Sequence, residues 1–198
     1  MGEPRGAGPA LDAPDPAVDL WVFGYGSLMW RPGFAFVERL PARLAGWHRA
    51  LCVYSHLYRG TVEAPGLVLG LDRGGSCRGV AFRVAGAKAA ATIAYLRERE
   101  LVTYVYRELV RPVVLADGRR VPAVFYAADR GHAQYAGALS RAERLALVAR
   151  GVGVSGPNRD YVLNTLAHLD GMGVRDIELG WIAAHLPPLT PLPGGDGG

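Results

Sequence analysis

The chain has 198 residues, of which 50% are hydrophobic and 20% charged, and its formal net charge is +4. That length fits one domain with a real core, the balance is ordinary for a soluble globular protein, and no apolar run is long enough for a transmembrane helix. Lys88 is the only lysine. The positive charge is therefore almost all arginine, spread along the chain rather than interleaved with aromatics, which argues against a nucleic-acid interface. Arginine forks suit carboxylates and phosphates, so the excess fits an anionic substrate, or equally a composition bias without function.

Residues 1–18 and 187–198 are rich in Pro and Gly and are expected to be flexible tails around a single domain over 19–186. The first nineteen residues hold no apolar run of the kind a signal peptide needs, and a cytoplasmic protein is expected. Leu20–Tyr25 reads as a short buried strand. Ala42–Tyr54 reads as a second strand, bent or bulged at Gly46, and Ser55–Gly66 as an exposed loop. Leu67–Leu71 and Arg78–Val84 are expected to be strands joined by a hairpin turn at Asp72-Arg73-Gly74-Gly75-Ser76. Ala87–Leu101 is an expected helix, its alanines favouring it locally. Strands near Glu108–Leu115 and Val121–Ala127 flank a turn at Asp117-Gly118. Ser140-Arg141-Ala142-Glu143 has the pattern of a capping box ahead of an apolar run. Asn158–Leu169, with Pro157 near its first turn, and Val174–Leu186 complete the helices. Strands dominate the first two-thirds and helices the last third, which gives an α+β class with much of the sheet antiparallel.

The stretch Trp21-Val22-Phe23-Gly24-Tyr25-Gly26-Ser27-Leu28-Met29-Trp30 carries the first candidate for chemistry. A strand runs into two glycines one residue apart, which allow backbone angles that a Cβ resists and let a ligand approach the main chain. Successive N–H groups in such a turn can converge on an anion or a developing oxyanion. A plain strand end with a tight turn is one reading. A dinucleotide fingerprint needs a third glycine at position 29, which is Met29, and Arg31-Pro32-Gly33 breaks the helix it would open. No Lys-Ser/Thr pair follows to make a phosphate loop. Ser27 lacks the glycine two residues on that a hydrolase elbow requires, so it is expected to hydrogen-bond substrate or its own turn. Cys52 and Cys77 form no C-x-x-C, and no histidine stands at a metal-ligand spacing, so neither a metal nor a cofactor is expected.

Glu100 is the second candidate. Ala89, Ile93, Leu96 and Glu100 are spaced four, three and four, so they share one helix face, apolar until the carboxylate. Glu98 points elsewhere. The negative end of the helix dipole and desolvation both push the Glu100 pKa up, while Arg99 beside it pulls the pKa down. A glutamate tuned toward neutrality suits a group that must take a proton and return it. A solvated glutamate that merely ends its helix is the other reading.

The pattern V-F-G-Y-G-S-L-x-W-x-P-x-F, Val22 through Phe34, resembles the opening signature of the ChaC-type γ-glutamylcyclotransferases. Tyr95, Leu96, Arg99 and Glu100 match that family's Y-L-x-x-R-E, whose glutamate is the general base. Arg59-Gly60 with Pro65-Gly66 is similar to its H-R-G…P-G loop, with Tyr58 in place of the histidine. Tyr135-Ala136-Gly137 and Ser155-Gly156-Pro157-Asn158-Arg159-Asp160-Tyr161 are similar to Y-L-G and S-G-x-N-x-x-Y. The match runs in order from about Trp21 to Leu186. One departure follows the base, where Val102-Thr103-Tyr104-Val105-Tyr106 replaces a glycine pair and tyrosine.

The resemblance implies a compact, barrel-like mixed sheet flanked by helices. It implies cleavage of glutathione into 5-oxoproline and cysteinylglycine, without metal or cofactor. Glu100 would act as base and acid. Gly24, Tyr25, Gly26, Ser27, Leu28 and Met29 would hold the substrate. By their own chemistry Tyr135 and Arg59 are candidate ligands for its carboxylates; loop side chains that are simply exposed or packed are the other reading. Other γ-glutamyl amino acids or γ-glutamylamines are rival substrates, and a non-catalytic pocket for a small anion is the rival class. No obligate protein partner is evident.

Overall fold

The computed structural model describes residues 14–188. Most of both expected tails, 1–13 and 189–198, lies outside the described residues. Residues 15–18 form a turn closed by the Val18 N–H on the Asp15 carbonyl.

Five strands close into a barrel in the order β1-β3-β2-β4-β5. They are β1 (Leu20–Gly24), β2 (Glu38–Ser55), β3 (Gly66–Val84), β4 (Tyr106–Leu115) and β5 (Arg120–Ala128). Neighbours are antiparallel except at the seam, where β1 runs parallel to β5 with Trp21 opposite Ala123 and Val22 opposite Val124. The interior is filled from all sides by Phe23, Leu44, Leu51, Leu71, Ala81, Val113 and Phe125. The class is thus the expected α+β, with a mixed, largely antiparallel barrel flanked by helices.

One expected turn is absent. Asp72–Ser76 does not reverse the chain, and β3 runs unbroken for 19 residues beside β2. Ala45 faces Ser76 and Trp47 faces Arg73, so Gly46 stands opposite the two residues Gly74 and Gly75. All three have positive φ, +81°, +105° and +66°. They make a bulge that bends the long ribbon, which is how a long strand pair curls into a closed barrel. A second offset falls between Leu51 and Val53.

Helix α1 (Gly86–Glu100) buries Ala89 and turns Ile93 and Leu96 onto Val22, Val84, Val124 and Tyr126 of the barrel. Its first N–H, that of Gly86, is capped by Asp19 Oδ1 at 3.0 Å; a carboxylate there also complements the helix dipole. After β5 come α2 (Arg141–Arg150), the two-residue strands β6 (Val152–Gly153) and β7 (Gly156–Pro157), α3 (Asn158–Gly171) and α4 (Ile177–His185). Ser140 and Glu143 form the expected capping box at the start of α2. The last three helices pack on one another, and α2 packs also on β3. No helix among the described residues is long and apolar enough to cross a membrane.

Candidate active site

The N-terminal half of β3 has β2 on one side only, so the other edge at Leu67 and Leu69 would leave buried main-chain groups unpaired. Side chains complete it. Asn158, fully buried at the start of α3, accepts from the Leu67 N–H at 2.6 Å and donates to the Leu67 carbonyl at 2.7 Å. Two residues on, the Leu69 N–H donates to Tyr161 Oη at 3.1 Å, and Tyr106 Oη donates to the Leu69 carbonyl at 2.7 Å. Residues two apart on a strand present their polar groups to the same edge, which is why one helix and one neighbouring tyrosine can serve both.

Beside this edge lies an open pocket. The turn after β1 contributes Tyr25, Gly26, Ser27 and Leu28; β3 contributes Val68 and Leu69; Tyr106, Tyr126 and Tyr161 form further walls; and Glu100 enters from the end of α1. The turn is held from two sides. Arg49 on β2 donates from Nε to the Tyr25 carbonyl at 2.6 Å. Arg99 donates from Nη2 to Ser27 Oγ at 2.8 Å and from Nη1 to the Arg31 carbonyl at 2.8 Å. Within the turn, the Met29 N–H bonds the Gly26 carbonyl and the Arg31 N–H the Ser27 carbonyl. The N–H groups of Ser27 and Leu28 precede the first such bond, so the turn itself offers them no acceptor.

Among the described residues Glu100 is the only carboxylate lining the pocket. Its side chain is 19% exposed, and Arg99 Nε stands 3.2 Å from Oε1. Burial pushes its pKa above the ordinary glutamate value, opposed by the Arg99 charge. Of the two opposing effects, desolvation wins. Burial also holds Tyr25 and Tyr106 well above the usual phenol range, reinforced by the neighbouring phenols and by Glu100. Tyr161 is pushed up to about 12, again by burial first. Tyr126 is raised by burial and then by Glu108, to which it donates at 2.9 Å. Arg97 holds that glutamate with two bonds, at 2.7 and 2.9 Å. The phenols therefore keep their protons at neutral pH, and Tyr106 and Tyr126 donate theirs to the Leu69 carbonyl and to Glu108. Glu100 is the lining group whose shift moves its titration toward neutrality.

Of the residues singled out in the sequence, Tyr25, Gly26, Ser27, Leu28 and Glu100 come together here. Four others do not line the pocket. Gly24 is packed behind the turn, where a Cβ would lie 3.0 Å from the Leu28 Cβ. Met29 is turned inward, fully buried, with its sulfur 3.8 Å from Arg49 Nη2. Tyr135 spends its hydroxyl on Asp72 at 2.8 Å, on the far stretch of β3. Arg59 lies outside the lining, with its guanidinium carbon 5.4 Å from the Tyr161 ring centroid. Neither Gly24 nor Gly26 has the positive φ that the glycine turn suggested. Gly24 is required for close packing, whereas Gly26, at φ −130°, leaves room where a side chain would stand. Tyr106, Tyr126 and Tyr161 were missed as site residues, although Tyr161 sits in a quoted motif and Tyr106 ends the departure after Glu100.

Among the described residues no group of three or more His, Cys, Asp or Glu side chains is disposed to hold a metal ion. The model of the ChaC-like protein family matches residues 20–186. The chain belongs to the ChaC-like family. The glutathione-specific γ-glutamylcyclotransferase of Escherichia coli (strain K12) is 37% identical over 158 residues, covering 79% of this chain and 68% of that relative. Glutathione-specific γ-glutamylcyclotransferase 1 of Homo sapiens is 32% identical over 148 residues, covering 73% and 67%. A crystal structure of the yeast γ-glutamylcyclotransferase specific to glutathione superposes with a TM-score of 0.74 at 21% identity, covering 84% of this chain and 94% of that one. At that identity the superposition speaks for the ChaC-like fold alone.

Proposed function

We propose that this protein is a glutathione-specific γ-glutamylcyclotransferase and that Glu100 is its general base and acid. The observation that carries the assignment of Glu100 is the composition of the pocket. It holds one carboxylate with a raised pKa among phenols that keep their protons. Among the described residues no histidine or cysteine lines it, and Ser27 Oγ is engaged by Arg99.

The substrate brings its own nucleophile. Glu100 takes a proton from the α-ammonium of the γ-glutamyl group, and the freed amine attacks the γ-carbonyl carbon. A five-membered ring closes, and the carbonyl oxygen gains negative charge. When the C–N bond breaks, Glu100 returns that proton to the departing nitrogen, then takes the surplus proton from the ring nitrogen and passes it to the freed amine, which leaves as an ammonium. The products are 5-oxoproline and cysteinylglycine, and no water is consumed. Holding amine and carbonyl at attack distance supplies much of the acceleration. The Ser27 and Leu28 N–H groups and the Tyr25 and Tyr161 hydroxyls are the candidate donors for the oxyanion. Of the rival classes, a pocket that only bound an anionic peptide would gain nothing from a buried carboxylate. A cytoplasmic setting suits two free, buried thiols, Cys52 and Cys77.

The test is incubation of the purified protein with glutathione and mass-spectrometric detection of both products. Equimolar 5-oxoproline and cysteinylglycine are expected. Free glutamate in place of 5-oxoproline would mean hydrolysis, and no product from glutathione alongside turnover of γ-glutamyl amino acids or γ-glutamylamines would move the substrate.

A further inference from the structure

The arginines around the pocket differ in one respect. Arg49 is paired with Asp176, Arg97 with Glu108 and Arg99 with Glu100. Arg59 has no carboxylate partner among the described residues. Its Nη1 donates to the Ser155 carbonyl at 2.5 Å and faces the Pro157 carbonyl at 3.4 Å. Those contacts leave Nε–H and Nη2–H, the side-on edge of the guanidinium that matches a carboxylate in a bidentate pair.

The group is also fixed in place. The Arg59 N–H donates to Ser55 Oγ at 3.0 Å, and the hairpin carrying Ser155 is tied to the Arg59 loop by the Val154 and Ser155 N–H groups on the Leu57 and Tyr58 carbonyls. Arg59 is half-buried and stacked on Tyr161, a wall of the pocket. It is thus a preorganised cation beside one residue of the pocket wall, on the loop between β2 and β3.

Glutathione carries two carboxylates. The γ-glutamyl one belongs with the reacting group inside the pocket. The glycyl one lies two residues beyond the γ-carbonyl, a reach of about 7 Å in an extended chain. We propose that Arg59 receives the glycyl carboxylate through Nε–H and Nη2–H and so sets the preference for the tripeptide over γ-glutamyl compounds that lack it. This rests on the cyclotransferase reading above. Arg59 touches the part of the substrate that leaves, and it takes no part in the proton transfers.

The test compares glutathione with its C-terminal carboxamide, in which only the glycyl charge is removed. Steady-state kcat and KM are measured for both substrates with wild type, Arg59→Gln and Arg59→Lys. Wild type is expected to favour glutathione by about ten- to a hundredfold in kcat/KM, mostly through KM, as befits one charge-assisted bidentate contact. In Arg59→Gln that ratio falls toward one, and in Arg59→Lys it is partly restored. Both substrates are read on the same preparation, so partial misfolding leaves the ratio unchanged. A wild type that turns over both substrates equally overturns the assignment and leaves the cyclotransferase reading standing; this comparison decides even if the variants fail to fold. An Arg59→Gln protein that loses both substrates with the ratio preserved also overturns it, since Arg59 would then act only through Tyr161. No 5-oxoproline from either substrate with wild type removes the cyclotransferase reading and this assignment together.

Discussion

Glu100 gathers opposing influences on one side chain. Burial raises its pKa, and the guanidinium 3.2 Å away only partly offsets that. Folding therefore shifts its titration upward, so the rate limb at acid pH should have its midpoint above the ordinary glutamate value of 4.5. Glu100→Gln keeps the shape without the proton chemistry, and a loss on the order of a hundredfold or more in kcat is expected. The exposed Glu98 is the control, and Glu98→Gln should stay within a few-fold of wild type. The stability effect has a definite sign. A carboxylate with a raised folded pKa contributes stability that is present below its unfolded pKa and lost as pH rises through the folded one. At neutral pH Glu100→Gln should therefore melt at or above wild type. Near-normal turnover in a folded Glu100→Gln protein would end the proposed mechanism. Gly26→Val separates two causes. Its φ of −130° is one that a side chain adopts, and the nearest atom to an added Cβ is Leu69 Cδ1 at 3.9 Å. Steric exclusion, not strain, is expected: a melting temperature within a few degrees of wild type and loss of binding of a non-reactive glutathione analogue. A cooperative loss of stability with analogue binding intact would contradict it.

At the scale of elements, the local rules were legible and the long-range ones were not. β1 could be read because β-formers stop at glycine; the β4–β5 turn because Gly118 takes φ +89°; α2 because Ser140 and Glu143 cap it. The face of α1 could be read because Ala89, Ile93 and Leu96 repeat at helical spacing ahead of Glu100. Gly74 and Gly75 misled because positive φ serves a bulge as well as a turn, and only the length of the partner strand decides. The tyrosines of the pocket escaped notice for a similar reason. Tyr106 and Tyr161 have their role through the Leu69 main chain, 37 and 92 residues away in sequence. Asn158 shows how much this edge depends on such contacts. Asn158→Ala would leave the buried Leu67 N–H and carbonyl without partners, at a cost of roughly 2–4 kcal/mol. Denaturant unfolding should show that loss, and kcat/KM should fall with it because Tyr161 hangs from the same helix. A drop below about 0.5 kcal/mol would mean that the edge finds other partners.

At the scale of the molecule, one buried cation ties the barrel to the segment that opens the last helix. Arg49 leaves β2 and reaches the Tyr25 carbonyl after β1, the Arg78 carbonyl on β3 at 2.8 Å, and Asp176 at 3.2 Å. Asp176 in turn caps α4 through Leu179 N–H. The two side chains are 5% and 9% exposed. A buried pair adds little to stability over an apolar pair, but removing one partner strands the other, at about 3–5 kcal/mol. Arg49→Met should lose that much in denaturant unfolding. It should also slow turnover, since Tyr25 lines the pocket and its carbonyl loses its donor. The double variant Arg49→Met with Asp176→Asn distinguishes the sources of the cost. Asparagine still caps the helix but carries no charge. If the stranded carboxylate dominates, the double variant recovers at least about 1 kcal/mol over Arg49→Met. If the orphaned Tyr25 and Arg78 carbonyls dominate, it recovers nothing and turnover stays low in both. An Arg49→Met protein with wild-type stability and rate would mean that the turn holds its shape unaided, and that the pocket floor does not depend on the helices beyond it.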